Sequence, residues 1–351
     1  MRVALSILAF VAGLALGLTL LPAWPYARPS ISEGAIEYLT QRGRKIDVLV
    51  IGSSTVRVHF VTALFNEEMK KRGHDVQAFA FARSGLQGAE LDYYLERILA
   101  LELPELKWVL VDVSLTQFRP LERDNWYKRR VIEWHAPEQV LTLQRLIFAK
   151  NAPLASKLEQ FWPHVEHALL RAANVGDGVE SAYKGTLLHL RKPDRLLPAS
   201  SFSVGDYVKN AQKKRLASYA KHNAKKFPKV VEALRRARAV PESKIQKRLR
   251  ANEYAVIYRQ RIEQRGAQAA FILSPMLGDV RMRRDVPGSA DLRFLDFDDP
   301  ARYPELYALE HRYDSVHLAW SGAQLFTVRL AERFAALLDA EGDTRMRIGD
   351  R

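Results

Sequence analysis

The chain has no cysteine among its 351 residues. Disulfide bridges, thiolate nucleophiles and cysteine-based metal sites are therefore excluded. The absence of cysteine is compatible with an oxidising compartment. The apolar content of 48% is ordinary for a folded globular protein, so the chain is not expected to be disordered.

Charge is absent from a long segment near the N-terminus, Val3–Trp24, which follows Arg2. About 20 apolar residues span a bilayer, so residues 1–25 are predicted to be a transmembrane signal anchor. A cleaved signal peptide is the alternative, with a poor cleavage match around Ala27. Arg2 favours a cytoplasmic N-terminus. The expected location is the cytoplasmic (inner) membrane, single-pass, with the globular part extracytoplasmic.

Acidic residues are scarce in one region only. Residues 191–250 hold 18 Lys and Arg against 4 Asp and Glu, a net charge of +14, whereas the rest of the chain has 36 of each sign. Lys225, Lys226, Arg235 and Arg236 are candidate anion-binding residues for lipid headgroups or an acidic polysaccharide. A pair of solvated helices explains the same charges equally well. Nucleic acid is not an expected partner behind an export segment.

Strand-like and helix-like patterns alternate in the first third of the chain. Ile46–Ile51, Asp75–Phe81 and Trp108–Val113 are apolar runs typical of buried parallel strands. The segment Val61–Arg72 and the apolar positions at helical spacing from Leu91 to Leu99 lie between them. This alternation predicts βαβ units and a mostly parallel sheet.

The alternation stops at about residue 120 and resumes near residue 252. Residues 30–119 and 252–345 are predicted to form one α/β domain, a flavodoxin-like three-layer α/β/α sandwich, with 120–251 as a basic helical insertion. A further strand is expected at Ala267–Leu273. The last helix is expected to begin at an N-cap, Ser321, and the residues after 340 to form a frayed tail.

Two hydroxyl groups follow the first predicted strand, in Gly52-Ser53-Ser54. In open parallel sheets, sites form beyond the carboxyl ends of the strands. A serine presented there can act as a nucleophile, with backbone N–H groups at the following helix start available to an oxyanion. The alternative is that both serines only cap a helix or turn the chain, and this stretch alone favours the alternative.

A second pattern lies close to the C-terminus, where Asp314 precedes His317 by three residues. An aspartate at this spacing can accept the imidazole Nδ1–H and leave Nε2 free as a base. Serine requires such a base, because its hydroxyl is a weak nucleophile at neutral pH. The serine and the Asp-x-x-His pattern together point to a catalytic triad.

Other polar groups give weaker signals. His164 and His167 are predicted to lie on a helix surface, and the carboxylates at Asp296, Asp298 and Asp299 to lie on a loop rather than in a metal site. No metal and no organic cofactor is predicted.

Taken together, these motifs resemble those of the SGNH (GDSL-type) hydrolase superfamily over the predicted α/β domain. The resemblance implies that Ser54 is the nucleophile and that Ser53 replaces the family's aspartate. It also implies that Asp314 and His317 complete the triad. The family's second block fits Phe81–Gln87, with Gly85 as an oxyanion-hole donor.

The third block departs from the family pattern, Gly-x-Asn-Asp. Here the register gives Ser114-Leu115-Thr116-Gln117, so Thr116 lies where the oxyanion-hole asparagine is expected. Loss of one such donor costs about 10²–10³-fold in rate. Thr116 or Gln117 substitutes for it, or the hole uses backbone donors alone.

The combination of an N-terminal anchor with Gly-Ser-Ser also resembles the membrane-anchored SGNH-like proteins that assist O-acylation of teichoic acid and alginate. It implies an extracytoplasmic serine esterase or O-acyltransferase acting on an acylated cell-envelope glycan. A multispanning membrane-bound O-acyltransferase is the implied partner. The alternatives are a non-catalytic SGNH-fold partner of such an enzyme and a protein that binds polyanions or the membrane surface.

Overall fold

The computed structural model of the chain describes residues 31–86, 88–114, 129–173, 215–241, 253–278 and 291–349. The strands are Val48–Gly52 (β1), Ala78–Ala82 (β2), Trp108–Asp112 (β3), Gln268–Leu273 (β4) and Phe294–Asp296 (β5). The helices are Ile31–Arg42 (α1), Ser54–His59 (α2), Thr62–Lys71 (α3), Gly88–Leu99 (α4), Arg129–Glu133 (α5), Pro137–Phe148 (α6), Leu154–Ala172 (α7), Phe227–Ala239 (α8), Glu253–Gln264 (α9) and Trp320–Gly349 (α10). Residues 215–223 are also helical.

The five strands form one all-parallel sheet in the order β2-β1-β3-β4-β5. The prediction of an α/β fold with a parallel sheet is therefore confirmed. The strand order reverses between β1 and β3, and in sheets of this kind the crevice outside the carboxyl ends at this point is where ligands bind. The sequence analysis missed β5, because a strand of three residues is too short to show a pattern.

Every residue of β1 and β3 is buried, as the uninterrupted apolar runs predict for strands covered on both faces. One core cluster joins Val48 and Val50 of β1 to Phe326 and Phe334 of α10. The strands that carry the candidate site are thus held rigidly at the centre of the sheet.

Contacts divide the chain into two compact units. The larger unit contains the sheet, and residues 215–241 belong to it rather than to a separate insertion. Within α8, Phe227, Val231 and Leu234 pack into the core cluster. The sequence-based division treated 120–251 as one insertion, because no strand pattern is visible there. It did not consider which face of each helix in that range is apolar, and it therefore differs from this arrangement.

The four candidate anion-binding side chains, Lys225, Lys226, Arg235 and Arg236, are all exposed. Arg236 pairs with Glu232 on the same helix. On the inner side of α8, Arg238 binds the carboxylates of Asp296 and Asp298. This pairing accounts for two of the three acidic side chains in the Asp296–Asp299 group.

The described residues of the smaller unit are 31–34, 92–94 and 129–173. Three of its histidines are buried: His135, which lies between α5 and α6, and His164 and His167 on α7. The prediction that His164 and His167 lie on a helix surface is wrong. Their rings stack against the ring of His135. One ring nitrogen of His164 hydrogen-bonds to His135, and one ring nitrogen of His167 hydrogen-bonds to a backbone carbonyl, so these polar atoms have partners although they are buried.

Two predictions about the last helix are also wrong. The helix α10 begins at Trp320, so Ser321 lies inside it, and the Ser321 hydroxyl bonds to Nδ1 of His311 at 2.8 Å instead of capping the helix. The helix continues to Gly349, through the segment predicted to be a frayed tail. That segment contains no proline, and each of its two glycines, Gly342 and Gly349, costs a helix interior only about 1 kcal/mol.

No helix within the described ranges has both the length and the apolar composition needed to cross a bilayer. The predicted anchor, residues 1–25, lies outside the described residues, and so do Thr116 and Gln117.

Candidate active site

The first feature of the site is the close approach of α2 to the carboxyl end of β1. Strand β1 ends at Gly52, and α2 begins two residues later at Ser54. A Cβ atom on Gly52 would lie 2.5 Å from Cγ2 of Val56 and 2.9 Å from Cβ of Asp112. Only glycine fits between the start of the helix and strand β3, and this packing places Ser54 directly above the sheet.

The two serines after Gly52 have different environments. Ser53 occupies the N-cap position of α2 but makes no capping hydrogen bond with its side chain. Its hydroxyl is buried and lies 3.0 Å from the hydroxyl of Thr55. Ser54 is only partly buried. Neither serine therefore acts as a side-chain cap, and Ser54 is the one whose hydroxyl reaches the site.

Ser54, His317 and Asp314 are brought together across 263 residues of sequence. The Oγ atom of Ser54 lies 2.8 Å from Nε2 of His317, and Nδ1 of His317 lies 2.8 Å from Oδ2 of Asp314. A carboxylate only accepts hydrogen bonds, so the ring proton resides on Nδ1. Nε2 is then an acceptor, and the Ser54 hydroxyl donates to it.

The carboxylate of Asp314 is kept ionised by its hydrogen bonds. Burial by itself raises the pKa of Asp314, but the bonds from the His317 ring and from the backbone N–H groups of His317 and Val316 outweigh it, so the net pKa is lowered. Those two N–H groups donate to Oδ1 at 2.6 and 2.7 Å. One oxygen therefore orders the loop, while the other orients the imidazole.

Asp314 and His317 lie on one loop, hereafter the triad loop, which is held by a backbone bridge at its ends and by a buried arginine. Arg312 and Leu318 form an antiparallel bridge at its two ends. The guanidinium group of Arg312 is fully buried and donates to three backbone carbonyls, those of Pro275, Leu306 and Ser315. The Ser315 carbonyl lies in the triad loop and the other two lie on separate segments. One side chain therefore links the loop to both of those segments.

A second histidine, His59 at the end of α2, supports the loop from the other side. Its Nε2 atom accepts the N–H of Leu318 at 3.0 Å, and its ring lies edge-on to the His317 ring with centroids 6.3 Å apart. Burial lowers the pKa of His59 well below 6.5, and the neighbouring charges of His317 and Arg312 lower it further. His59 is therefore neutral, as an acceptor must be.

A buried hydrogen-bond network joins the carboxyl ends of β3 and β4. The Asp112 carboxylate accepts the Ser274 hydroxyl at 2.7 Å and the Ser114 N–H at 2.8 Å. The Ser114 hydroxyl in turn accepts the Ser274 N–H at 2.6 Å. Ser274 is followed by Pro275, whose carbonyl binds Arg312, so this network connects the strand ends to the triad loop.

Gly85, the predicted oxyanion donor, lies on the loop after β2. Residues Gly52 and Ala82 are paired at the carboxyl ends of β1 and β2, and Gly85 follows three residues later with a φ of 71°. Arg57 of α2 donates to the Ser84 hydroxyl at 3.2 Å and so ties this loop to the helix that begins at Ser54. The left-handed φ is accessible to glycine at no steric cost.

Sequence reasoning selected Ser54, His317, Asp314 and Gly85 but missed His59, Arg312 and Asp112. An arginine two residues before an Asp-x-x-His motif carries no signal of burial. His59, five residues after Ser54, gives no signal of its role either, because its hydrogen-bond partner is a backbone N–H far along the chain.

Among the described residues, no group of three or more histidine or acidic side chains is arranged to hold a metal ion. The site itself presents a hydroxyl, an imidazole and a carboxylate in hydrogen-bonded series. Comparisons with protein-family models, with curated proteins and with solved structures found no match to this chain.

Proposed function

We propose that this protein is an SGNH-type serine esterase or O-acyltransferase in which Ser54 is the nucleophile. The observation that supports this proposal is the 2.8 Å separation between Ser54 Oγ and His317 Nε2, in series with Asp314. A general base must lie within about 2.6–3.2 Å of the proton that it abstracts, and this pair meets that requirement.

In the first step, Ser54 Oγ attacks the carbonyl carbon of an acyl ester while His317 Nε2 takes the hydroxyl proton. The tetrahedral intermediate collapses when His317 returns that proton to the leaving alkoxide, and an acyl-Ser54 ester remains. In the second step, water or a sugar hydroxyl loses its proton to His317 and attacks the acyl-enzyme carbonyl. The bond from the acyl carbon to Ser54 Oγ then breaks, and His317 returns the proton to Ser54 Oγ as the free acid or the acylated sugar leaves. The Asp314 carboxylate holds the Nδ1–H tautomer and stabilises the imidazolium formed in each step.

The developing oxyanion requires donors that are already in place. The proposed donors are the backbone N–H groups of Ser54 and Gly85, with Thr116 in the position that the family gives to asparagine. The tie between Arg57 and Ser84 supports this role for Gly85, since it holds the glycine loop beside α2.

The wider proposal follows from the strand order and from the N-terminal sequence. The order β2-β1-β3-β4-β5 supports a flavodoxin-like sandwich, with Ser54 at the strand-order reversal. The uncharged segment Val3–Trp24 supports a single membrane tether, with the unit that contains Ser54, Asp314 and His317 on the extracytoplasmic side. The proposed substrate is an acylated cell-envelope glycan, and the proposed partner is a multispanning membrane-bound O-acyltransferase.

The decisive experiment is labelling of the detergent-solubilised full chain with a fluorophosphonate, together with hydrolysis of p-nitrophenyl acetate. Ser54→Ala is expected to abolish labelling and to lower hydrolysis by about 10⁴-fold or more. Ser53→Ala is the matched control, because it removes the adjacent hydroxyl, which faces Thr55 and not His317.

Equal labelling of wild type and Ser54→Ala would exclude Ser54 as the nucleophile. If the wild type neither labels nor hydrolyses any acyl ester, the esterase proposal fails. The two non-catalytic alternatives then remain, an SGNH-fold partner of an acyltransferase and a protein that binds polyanions or the membrane surface. Adding a glycan acceptor to the assay separates the two catalytic outcomes, since a transferase forms acylated glycan at the expense of free acid.

A further inference from the structure

Helix α7 has an outward face that is strongly apolar. Six large hydrophobic side chains of the described residues are exposed, and four of them lie on this helix: Leu154 (63% exposed), Leu158 (52%), Trp162 (66%) and Leu169 (64%). A helix turns about 100° per residue, so these four positions fall within an arc of about 80°. Single exposed leucines are ordinary, but a continuous apolar face of this kind marks an interaction surface.

The opposite face of α7 is already occupied, because it buries His164 and His167 within its own unit. The helix packs within its unit through these two rings and through Phe161, which lies edge-on to Phe148, while four large apolar side chains remain exposed. Beside Leu158 and Trp162 the surface forms a shallow depression of about 550 Å³, which is also lined by Phe161 and Pro163 and is bordered by Glu159. This distribution is the reverse of that of an ordinary surface helix.

The sequence before the described residues indicates what covers this face. The uncharged segment Val3–Trp24 ends six residues before Ile31, and those residues extend over at most about 25 Å. Residues 31–34 belong to the same compact unit as α7. From Ala35 onward the same helix, α1, belongs to the larger unit. The bilayer-length segment thus joins the described chain at the first turn of α1, in the unit that exposes the apolar helix. Leucine and tryptophan are also the residues that suit the membrane interface.

We propose that the α7 apolar face, formed by Leu154, Leu158, Trp162 and Leu169, docks onto the lipid bilayer that holds Val3–Trp24. The helix lies along the membrane surface with these side chains among the headgroups and upper acyl chains, as an interfacial amphipathic helix does. The proposal rests on the membrane tether of the proposed function and is independent of the chemistry of Ser54. It gives the protein a second membrane attachment, which fixes the orientation of this unit on the bilayer.

The absence of cysteine makes the test direct, since one introduced thiol is the only labelling site. Full-length Leu158→Cys is labelled with an environment-sensitive nitrobenzoxadiazole probe and reconstituted into phosphatidylcholine–phosphatidylglycerol liposomes. Glu159→Cys is the matched control, because this exposed residue is the next in sequence and points about 100° around the helix. Circular dichroism checks that both labelled chains are folded.

We expect the probe at position 158 to emit at shorter wavelength than at position 159. It should be quenched at least about 3-fold more by lipids with a nitroxide near the headgroup, because α7 lies in the interfacial layer, and be protected from aqueous iodide. Two results overturn the proposal: free access of iodide to position 158, or protection from iodide without quenching by the lipid. The second shows that protein covers the face, either a second copy or another part of this chain.

Flotation of the liposomes separates this proposal from the others. A chain that does not float with lipid overturns both the tether and the docking of α7. Hydrolysis of a soluble ester is measured on the same preparation. Its dependence on Ser54 tests the proposed catalytic function independently of the flotation result.

Discussion

The imidazole of His59 accepts the backbone N–H of Leu318, the residue directly after the proposed general base His317, at 3.0 Å. The two residues lie on elements that also hold the nucleophile and the base, α2 and the triad loop. One buried hydrogen bond therefore fixes the distance between the two halves of the site. This relationship makes His59 a positioning residue.

Replacing His59 by phenylalanine is expected to lower kcat for Ser54-dependent hydrolysis by about 10- to 100-fold, because a displacement of about 1 Å at the reacting atoms costs that much. The free energy of unfolding should fall by about 1–3 kcal/mol, since the Leu318 N–H stays buried without an acceptor. His59→Gln, which retains an acceptor, should recover part of both losses. An unchanged kcat in His59→Phe, with urea unfolding showing the expected loss of stability, would reduce His59 to a structural role.

Gly52→Ala is expected to destabilise the protein by about 1–3 kcal/mol and to lower kcat, because the new methyl group overlaps Val56 and Asp112. The contact with Val56 is the closer, at 2.5 Å. Adding Val56→Ala should therefore restore part of the lost activity, although Val56→Ala alone destabilises. Urea unfolding and kcat of the wild type and the three variants in this cycle measure the coupling, and strict additivity would show that the two sites do not clash.

Arg312→Met is expected to lower the free energy of unfolding by about 2–5 kcal/mol. Some buried ion pairs can be replaced by apolar residues without cost, but the partners here are three backbone carbonyls that remain buried and lose their donor. Activity should fall with stability, since the Asp314 loop is released. Arg329→Met is the control, because this half-exposed arginine pairs with Glu305 and Glu332 and is worth less than about 1 kcal/mol.

Acid should destabilise the protein through its buried histidines. Burial, followed by the charge of His167, lowers the pKa of His164 from 6.5 to about 4. Between these values the unfolded chain binds a proton that the folded chain does not, so the free energy of unfolding falls as the pH drops from 6.5 to about 4 and is unaffected by this group outside that window. The contribution of His164 is about 3 kcal/mol, at 1.36 kcal/mol per pKa unit.

His164→Asn keeps a donor near Nδ1 toward His135 and removes the titration. Urea unfolding followed by tryptophan fluorescence between pH 4 and 7 should therefore show a shallower pH dependence for this variant. Trp134 reports on the site, since its ring stacks on His135 at a centroid distance of 3.6 Å. A pH dependence in His164→Asn as steep as that of the wild type would contradict the assignment.

Much of the α/β pattern could be predicted from the sequence, because strands buried on both faces are uninterrupted apolar runs. Element boundaries were less exact, and the polar residues after Ala340 were wrongly expected to fray although the helix continues to Gly349. Polarity shows which face of a helix meets solvent, but it does not show where a helix ends when no proline or capping residue is present.

Two parts of the site are local, and the sequence by itself determined them. Gly52 and Ser54 mark the abrupt end of a buried strand, and the three-residue spacing lets Asp314 reach the ring of His317 in any tight loop. Everything that joins them depends on the tertiary structure. The 263-residue separation of Ser54 and His317 is closed only by packing of α2 and the C-terminal segments on one sheet.

The same reason accounts for the roles of His59 and Arg312 and for the burial of His164. Each of these polar side chains has at least one hydrogen-bond partner that is a backbone group or a ring distant in sequence, and no local pattern records such a partner. From the sequence alone a polar residue is expected at the surface, because the partner that would allow its burial is known only from the fold. The sequence thus indicated the proposed triad residues, whereas the buried groups that hold them in place became visible only in the tertiary structure.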